Sequence, residues 1–285
     1  MLKRDGSLVF FTILSQWSVG IIVCLTGLSR GGSLVLETGA FPANLVVLAL
    51  VLVVVATTVS LLHLGNPVNA PKAARNLATS WLSREILAIG LFSACLVATL
   101  LAARVPGSAA YSNVLLPACS LAGLFLVWSM ARVYRIPTVP AWDSGFTPLA
   151  FVSATLSLGL MTFLLLDASG ALVLAGNTRT VLAGLLLALL ALEMGAGIVG
   201  YYRLSRMDTG MDGPAFGHGF LYKLFRTRMA LAGLACLLLG FFTLNPGLLP
   251  AGAALAGLIL AMALVVLQEL AGRALFYASY FRIGL

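Results

Sequence analysis

The residues of this chain best placed to do chemistry are few, and they sit at the ends or in the middle of long apolar runs. His63 closes one run in Ser60-Leu-Leu-His-Leu-Gly-Asn-Pro67, where Gly65, Asn66 and Pro67 end a helix and turn the chain. An imidazole at that depth meets both lipid and water, and its ordinary pKa of about 6.5 suits proton transfer at neutral pH. The plain alternative is an interfacial histidine whose polar tip rests among the headgroups. Glu85 opens the next run on the same side, in Trp81-Leu-Ser-Arg-Glu85. With Arg84 it forms either an ordinary helix-end pair, capped by Ser83, or a second proton relay. Glu193 falls near the centre of a later run, where a charge costs about 2.5–3.5 kcal/mol on insertion scales, so it faces a bundle interior or is neutral. Gly195, Ala196, Gly197 and Gly200 beside it permit close helix packing, and a carboxyl hydrogen-bonded to a neighbouring helix is its plain reading.

Metal chemistry has no local ligand set. Cys24, Cys95, Cys119 and Cys236 stand singly in four different runs with no C-x-x-C pair, the usage of small apolar residues rather than of zinc or iron–sulfur ligands. The two histidines, His63 and His218, do not supply facing axial imidazoles for a haem inside a bundle. No metal and no haem is therefore expected in this chain.

The elements that must position these residues follow from composition. Of 285 residues, 61% are hydrophobic and 9% charged, with a mean hydropathy of +1.06, against about 25% charged in soluble domains. Transmembrane helices need about 20 mostly apolar residues, and eight runs qualify: Leu8–Leu28, Leu45–Leu64, Glu85–Ala103, Leu115–Val133, Thr147–Leu166, Thr180–Tyr202, Met229–Leu244 and Pro250–Leu267. Stretches such as Leu45–Val55 and Val181–Leu192 are apolar on every face, which favours helices over the alternating strands of a barrel. The first run exceeds the h-region of a signal peptide and is kept as helix one. The expectation is an all-α integral membrane protein, one polytopic domain over residues 1–285, with eight transmembrane helices and both termini on the same side. This excludes a soluble catalytic domain, a disulfide scaffold and, despite a net charge of +8, a nucleic-acid binder.

Of the 17 Lys and Arg, all but Arg30, Arg104 and Arg179 fall on the side of the termini, so the positive-inside rule places both termini in the cytoplasm. That face also carries the long connections, Gly65–Ser83, Arg135–Phe146 and Arg203–Arg226, and reads as a docking surface, whereas the opposite face looks like plain closure. Ala70–Ala78 is a short amphipathic segment with Lys72 and Arg75 on its polar side. Pro137, Pro140 and Pro148 make the connection through Trp142 a stiff, shaped path. Trp81 and Trp142 fit an aromatic belt, and Arg132 and Tyr134 either dock a partner or line a site.

Three stretches together resemble the membrane-anchor subunit of the dimethyl sulfoxide reductase family. They are Leu62-His-Leu-Gly-Asn-Pro67 running on to Ser83-Arg-Glu-Ile86; Arg132-Val-Tyr134 with Thr138-Val-Pro-Ala-Trp142 and Thr147-Pro148; and Glu269-Leu-Ala-Gly-Arg-Ala-Leu-Phe-Tyr277. They cover under a third of the chain. The resemblance implies a haem-free anchor in a bacterial or archaeal cytoplasmic membrane that binds menaquinol and tethers an iron–sulfur subunit and a molybdopterin catalytic subunit. It assigns quinol oxidation to His63 and Glu85, with Gly65, Arg84, Arg132 and Tyr134 lining the site. Lys72, Arg75, Arg135, Trp142, Arg273 and Tyr277 are the docking residues, the last two being structural in the alternative. Electrons would pass directly to a cluster in the docked partner.

Two orientations stay open. The charge bias puts the docking face in the cytoplasm, whereas catalytic subunits of this family often carry export signals. Ubiquinol and the reverse reaction, quinone reduction, fit the same residues, and the terminal acceptor is chosen by the partner. The competing classes are a multi-pass transporter, although Glu193 is the one clear central charge where such folds carry several polar residues, and a purely structural anchor without quinol chemistry.

Overall fold

The computed structural model describes residues 2–35, 42–61, 76–105, 109–207, 219–245, 247–248 and 250–282. Among them are eight helices long and apolar enough to cross a membrane: α1 (Leu2–Arg30), α2 (Ala43–Leu61), α3 (Trp81–Ala102), α4 (Ala109–Val133), α5 (Phe146–Ala168), α6 (Thr178–Ser205), α7 (Gly219–Leu244) and α8 (Ala251–Ala278). The chain is a multi-pass, all-helical membrane protein. Two short strands, β1 (Leu34–Val35) and β2 (Val173–Leu174), form an antiparallel ladder that ties the connection after α1 to the one after α5.

Helices α1 and α5 form the centre, each with most of its apolar stretch enclosed by neighbours. They cross backbone to backbone: a Cβ on Gly20 would overlap the Thr155 carbonyl oxygen, and one on Gly159 would overlap the Gly20 carbonyl oxygen. In a bilayer lipid tails are as apolar as the helices, so association depends on such close packing and on interhelical hydrogen bonds. The bonds are present around the crossing. Trp17 Nε1 donates to Thr162 Oγ1 at 2.8 Å, Ser18 Oγ to the Ala49 carbonyl at 2.6 Å, and the Thr26 and Ser120 hydroxyls pair at 2.7 Å. They join α1 to α5, α2 and α4. Val51, Val54, Leu185 and Leu237 are among the large apolar side chains left on the outside, as a lipid-facing rim requires.

Several helices run beyond their expected limits, and at three of these limits a nearby charge reads as a span boundary. α3 starts at Trp81 rather than Glu85, and its cap is Ser80, whose side chain accepts from Ser83 N at 3.2 Å, while Ser83 itself is buried in the first turn. α7 starts at Gly219 rather than Met229, so Lys223, Arg226 and Arg228 are helical residues and not loop cations. α8 continues past Leu267 to Ala278, carrying Gln268, Glu269 and Arg273 inside the bundle.

The face opposite the termini is more structured than plain closure. Asp167, at the end of α5, accepts from Leu174 N at 2.9 Å and from Arg179 Nε at 2.5 Å, fixing β2 against the start of α6. An Asp167→Ala variant leaves the buried Leu174 N–H without its acceptor and is expected to lose about 1–3 kcal/mol. The check is thermal unfolding in detergent: a lowered midpoint is expected, and an unchanged one would show that the ladder holds without the carboxylate.

Candidate functional site

The first turn of α3 builds the outer layer of the site. Arg84 lies over the Trp81 ring, 4.2 Å from its centroid, and donates from Nε to the Leu77 carbonyl at 2.9 Å and from Nη2 to the Ala78 carbonyl at 2.7 Å. Arg84 therefore pins the turn before the helix instead of pairing with Glu85. From the end of α4, Arg132 reaches the same ring at 5.0 Å. Among the described residues its buried Nε has no hydrogen-bond partner. A buried donor of this kind is costly unless an acceptor arrives from elsewhere, such as an oxygen of a bound molecule.

One helical turn further in, four residues after Trp81 and so on the same face, Glu85 is buried. Its carboxyl is close enough to act electrostatically on the hydroxyls of Tyr134 and Tyr277, which hydrogen-bond to each other at 2.8 Å. Tyr134 meets Trp142, Phe276 and Tyr277 edge to face, with ring centroids 5.5, 5.4 and 5.4 Å away. Burial pushes the Tyr134 phenol well above its ordinary value, so at neutral pH it is a protonated donor and acceptor.

The proline-stiffened connection explains how Tyr134 is held. Trp142 stacks on Phe276 at 5.4 Å with 18° between the planes, and its Nε1 donates to the Phe276 carbonyl at 2.7 Å. Thr147 Oγ1 donates back to the Trp142 carbonyl at 2.6 Å. The loop between α4 and α5 is thereby folded onto the end of α8. Arg135 stays near the surface, paired with Asp143 at 3.1 Å.

Arg273 and Tyr277 are placed differently from the docking expectation. Their exposures are 4% and 5%, and both side chains face the interior. The Arg273 guanidinium lies 3.5 Å from the centroid of Phe151 and donates to Gln16 Oε1 at 3.0 Å. Trp142, half-buried against Phe276, is a fastener of the loop as well as a surface residue. His63, Gly65, Lys72 and Arg75, with His218, lie outside the described residues.

A second polar group lies deeper, between α6, α7 and α8. Arg228 Nη2 sits 3.6 Å from Glu193 Oε2, and Gln268 Nε2 donates to Glu193 Oε2 at 3.3 Å and to Glu269 Oε1 at 2.8 Å. A Cβ on Gly272 would meet the Arg228 guanidinium carbon at 2.8 Å, so the bare backbone there is what admits Arg228. Glu193 alone is legible in the sequence as an interior charge. The missed signal is Glu269 and Arg273, four residues apart and so on one helical face. Among the described residues no group of three or more His, Cys, Asp or Glu could hold a metal ion.

Comparison with known proteins gives a consistent set of likenesses. The family model described as DMSO reductase anchor subunit (DmsC) matches residues 3–279. The sequence is 29% identical over 294 residues to the YnfH subunit of an anaerobic dimethyl sulfoxide reductase of Escherichia coli strain K12, covering 99% of this protein and 97% of that one. It is 32% identical to the C subunit of the anaerobic dimethyl sulfoxide reductase of the same strain over 171 residues, 59% of each protein. The corresponding C subunit of Haemophilus influenzae is 28% identical over 160 residues, 54% of this protein and 55% of that one.

Proposed function

The chain belongs to the DMSO reductase anchor subunit (DmsC) family, and from that premise we propose that it oxidises menaquinol in the membrane and feeds the electrons to a docked iron–sulfur subunit of a molybdopterin-dependent reductase. The observation that carries the quinol part is the buried Glu85 carboxyl beside the Tyr134–Tyr277 hydroxyl pair, one turn inside a surface layer where Arg132 Nε has no partner among the described residues. A quinol suits the functional groups gathered there. Its oxygens accept from a guanidinium and donate to a carboxylate, and its ring lies among Trp81 and the aromatic side chains around Tyr134.

In the proposed reaction one menaquinol gives up two electrons and two protons and leaves as menaquinone. The electrons pass to an iron–sulfur cluster of the docked subunit, because the proposal gives this protein no redox centre of its own. His63, two residues past the end of α2, and Glu85, at the start of α3, take the protons. Arg84 holds the Leu77–Ala78 turn in place, and Arg132 and Tyr134 orient the ring. The docking face is the one bearing Lys72, Arg75, Arg135 and the Trp142 loop. The basic bias of that face supports cytoplasmic termini.

Extraction in mild detergent followed by mass spectrometry of what co-purifies tests the assembly. Recovery of a ferredoxin-like multi-cluster protein and a molybdopterin protein with this subunit is expected. Recovery of the protein by itself, under conditions that keep other respiratory complexes whole, would overturn the anchor role.

A further inference from the structure

The deep group around Glu193 is not used by the quinol chemistry, yet it is built as a site. A cavity of about 130 Å³ runs from Glu193, Glu269, Arg228 and Arg273 up to Ser144 and Arg203 at the helix ends. At roughly 30 Å³ per water it has room for about four. It opens at the same membrane face as the start of α3, since α6 and α8 end there and α5 begins there.

The charges do not cancel pairwise. Arg228 is the cation against Glu193, at 3.6 Å. Glu269, 3% exposed, has the Gln268 amide at 2.8 Å and, among the described residues, no cation within ion-pair distance. Arg273 is directed instead to Gln16 and over Phe151. Glu193 Oε1 is buried and has no hydrogen-bond partner among the described residues, while its residue lines the cavity. Glu193 also interacts electrostatically with Arg273 and with Cys236 on α7, and the α5 residues facing the cavity, Thr147 and Ser153 among them, are uncharged. Two buried carboxyls that share one amide donor, Gln268 Nε2, with Arg228 in ion-pair contact and Arg273 at longer electrostatic reach, are placed to hold one exchangeable proton, because like charges in a low-dielectric interior oppose joint ionisation. A proton on Glu269 would find the free Glu193 Oε1, or a cavity water, as its acceptor.

We propose that Glu193 and Glu269 form a proton-binding pair that takes protons from the Tyr134–Tyr277 end of the bundle and releases them through the cavity between Ser144 and Arg203. At the outer end the Tyr134 and Tyr277 hydroxyls are hydrogen-bonded at 2.8 Å; Arg273 and Glu269 follow Tyr277 at one-turn intervals back along one face of α8, and water carries the proton over the two turns between the Tyr277 hydroxyl and Glu269. Each step is a bare proton transfer between oxygen atoms, directly or through water, with no change of oxidation state. The source of the protons rests on the quinol reading above; the binding of a proton by the pair does not.

The test uses the full-length protein in lipid nanodiscs and the assembled complex. Infrared difference spectra between acidic and alkaline buffer are expected to contain a protonated-carboxyl C=O band that shifts in D2O. That band is lost in Glu269→Gln and displaced in Glu193→Gln. In the complex, Glu269→Gln is expected to slow quinol-driven turnover at least about tenfold, short of the 10²–10⁴-fold of a group in contact with the reacting atoms. The KM for quinol stays unchanged, the solvent isotope effect rises, and Glu269→Asp restores most of the rate. A titrating band indifferent to both variants would overturn the pair. A band that is lost while wild-type and variant complexes oxidise quinol equally fast would overturn the relay. A wild-type complex that does not oxidise quinol at all fails the function proposal instead, and the infrared result is unaffected by it.

Discussion

A complex carrying Glu85→Gln is expected to lose quinol-driven turnover by about a hundredfold or more, the range for removing a positioned acid–base group. The substitution keeps the size and shape of the side chain, so the packing of α3 against its neighbours is preserved. What it removes is the capacity to accept a proton in a buried position beside Tyr134 and Tyr277. Turnover driven by a water-soluble artificial donor that reduces the iron–sulfur partner directly should remain, because that route bypasses this subunit. The same split is expected for His63→Ala. Equal loss with both donors would mean that the variant disrupts assembly, and equal retention would remove Glu85 from the chemistry.

The second large effect concerns the crossing of α1 and α5. A Gly159→Val variant must place a branched side chain where the Gly20 carbonyl already stands. Overpacking a core commonly costs about 1–3 kcal/mol when side chains can shift, but here the obstacle is backbone, so the helices must part. Parting them also breaks the Trp17–Thr162 hydrogen bond of 2.8 Å. The expected result is loss of the folded protein from membranes, measured as the monodisperse fraction after detergent extraction, with Gly159→Ala intermediate. Wild-type recovery of Gly159→Val would show that this contact is dispensable.

The sequence makes the eight spans legible because each is a long apolar stretch that only a bilayer-crossing helix explains. It also brings Glu85, Arg132 and Tyr134 to helix ends on one face, as the structure has them, and predicts His63 beside them. What it conceals follows from physics that spacing does not encode. Arg228 reads as a loop cation, since a span is ordinarily cut at a charge, yet Gly272 on a different helix makes room for it and Glu193 on a third neutralises it. Gln268 and Glu269 fall beyond the end of the last span for the same reason. The burial of Arg273 depends on Gln16, more than 250 positions away in the sequence, and no local pattern announces such a partner. The Gly20–Gly159 contact is equally silent, because both glycines look like ordinary small residues in an apolar run.

The position of Arg228 bears on how the protein is made. α7 has the lowest hydropathy of the eight spans, 1.8, and carries Lys223, Arg226 and Arg228 in its first three turns. On insertion scales an arginine well inside a span costs about 2.5–3.5 kcal/mol. The groups that compensate Arg228 are Glu193, synthesised before it, and Gln268 and the open backbone at Gly272, synthesised after it. α7 is apolar enough to cross the bilayer by itself, but the contacts that bury Arg228 are complete only once α8 is in place, an order that favours entry of the last two helices as a hairpin.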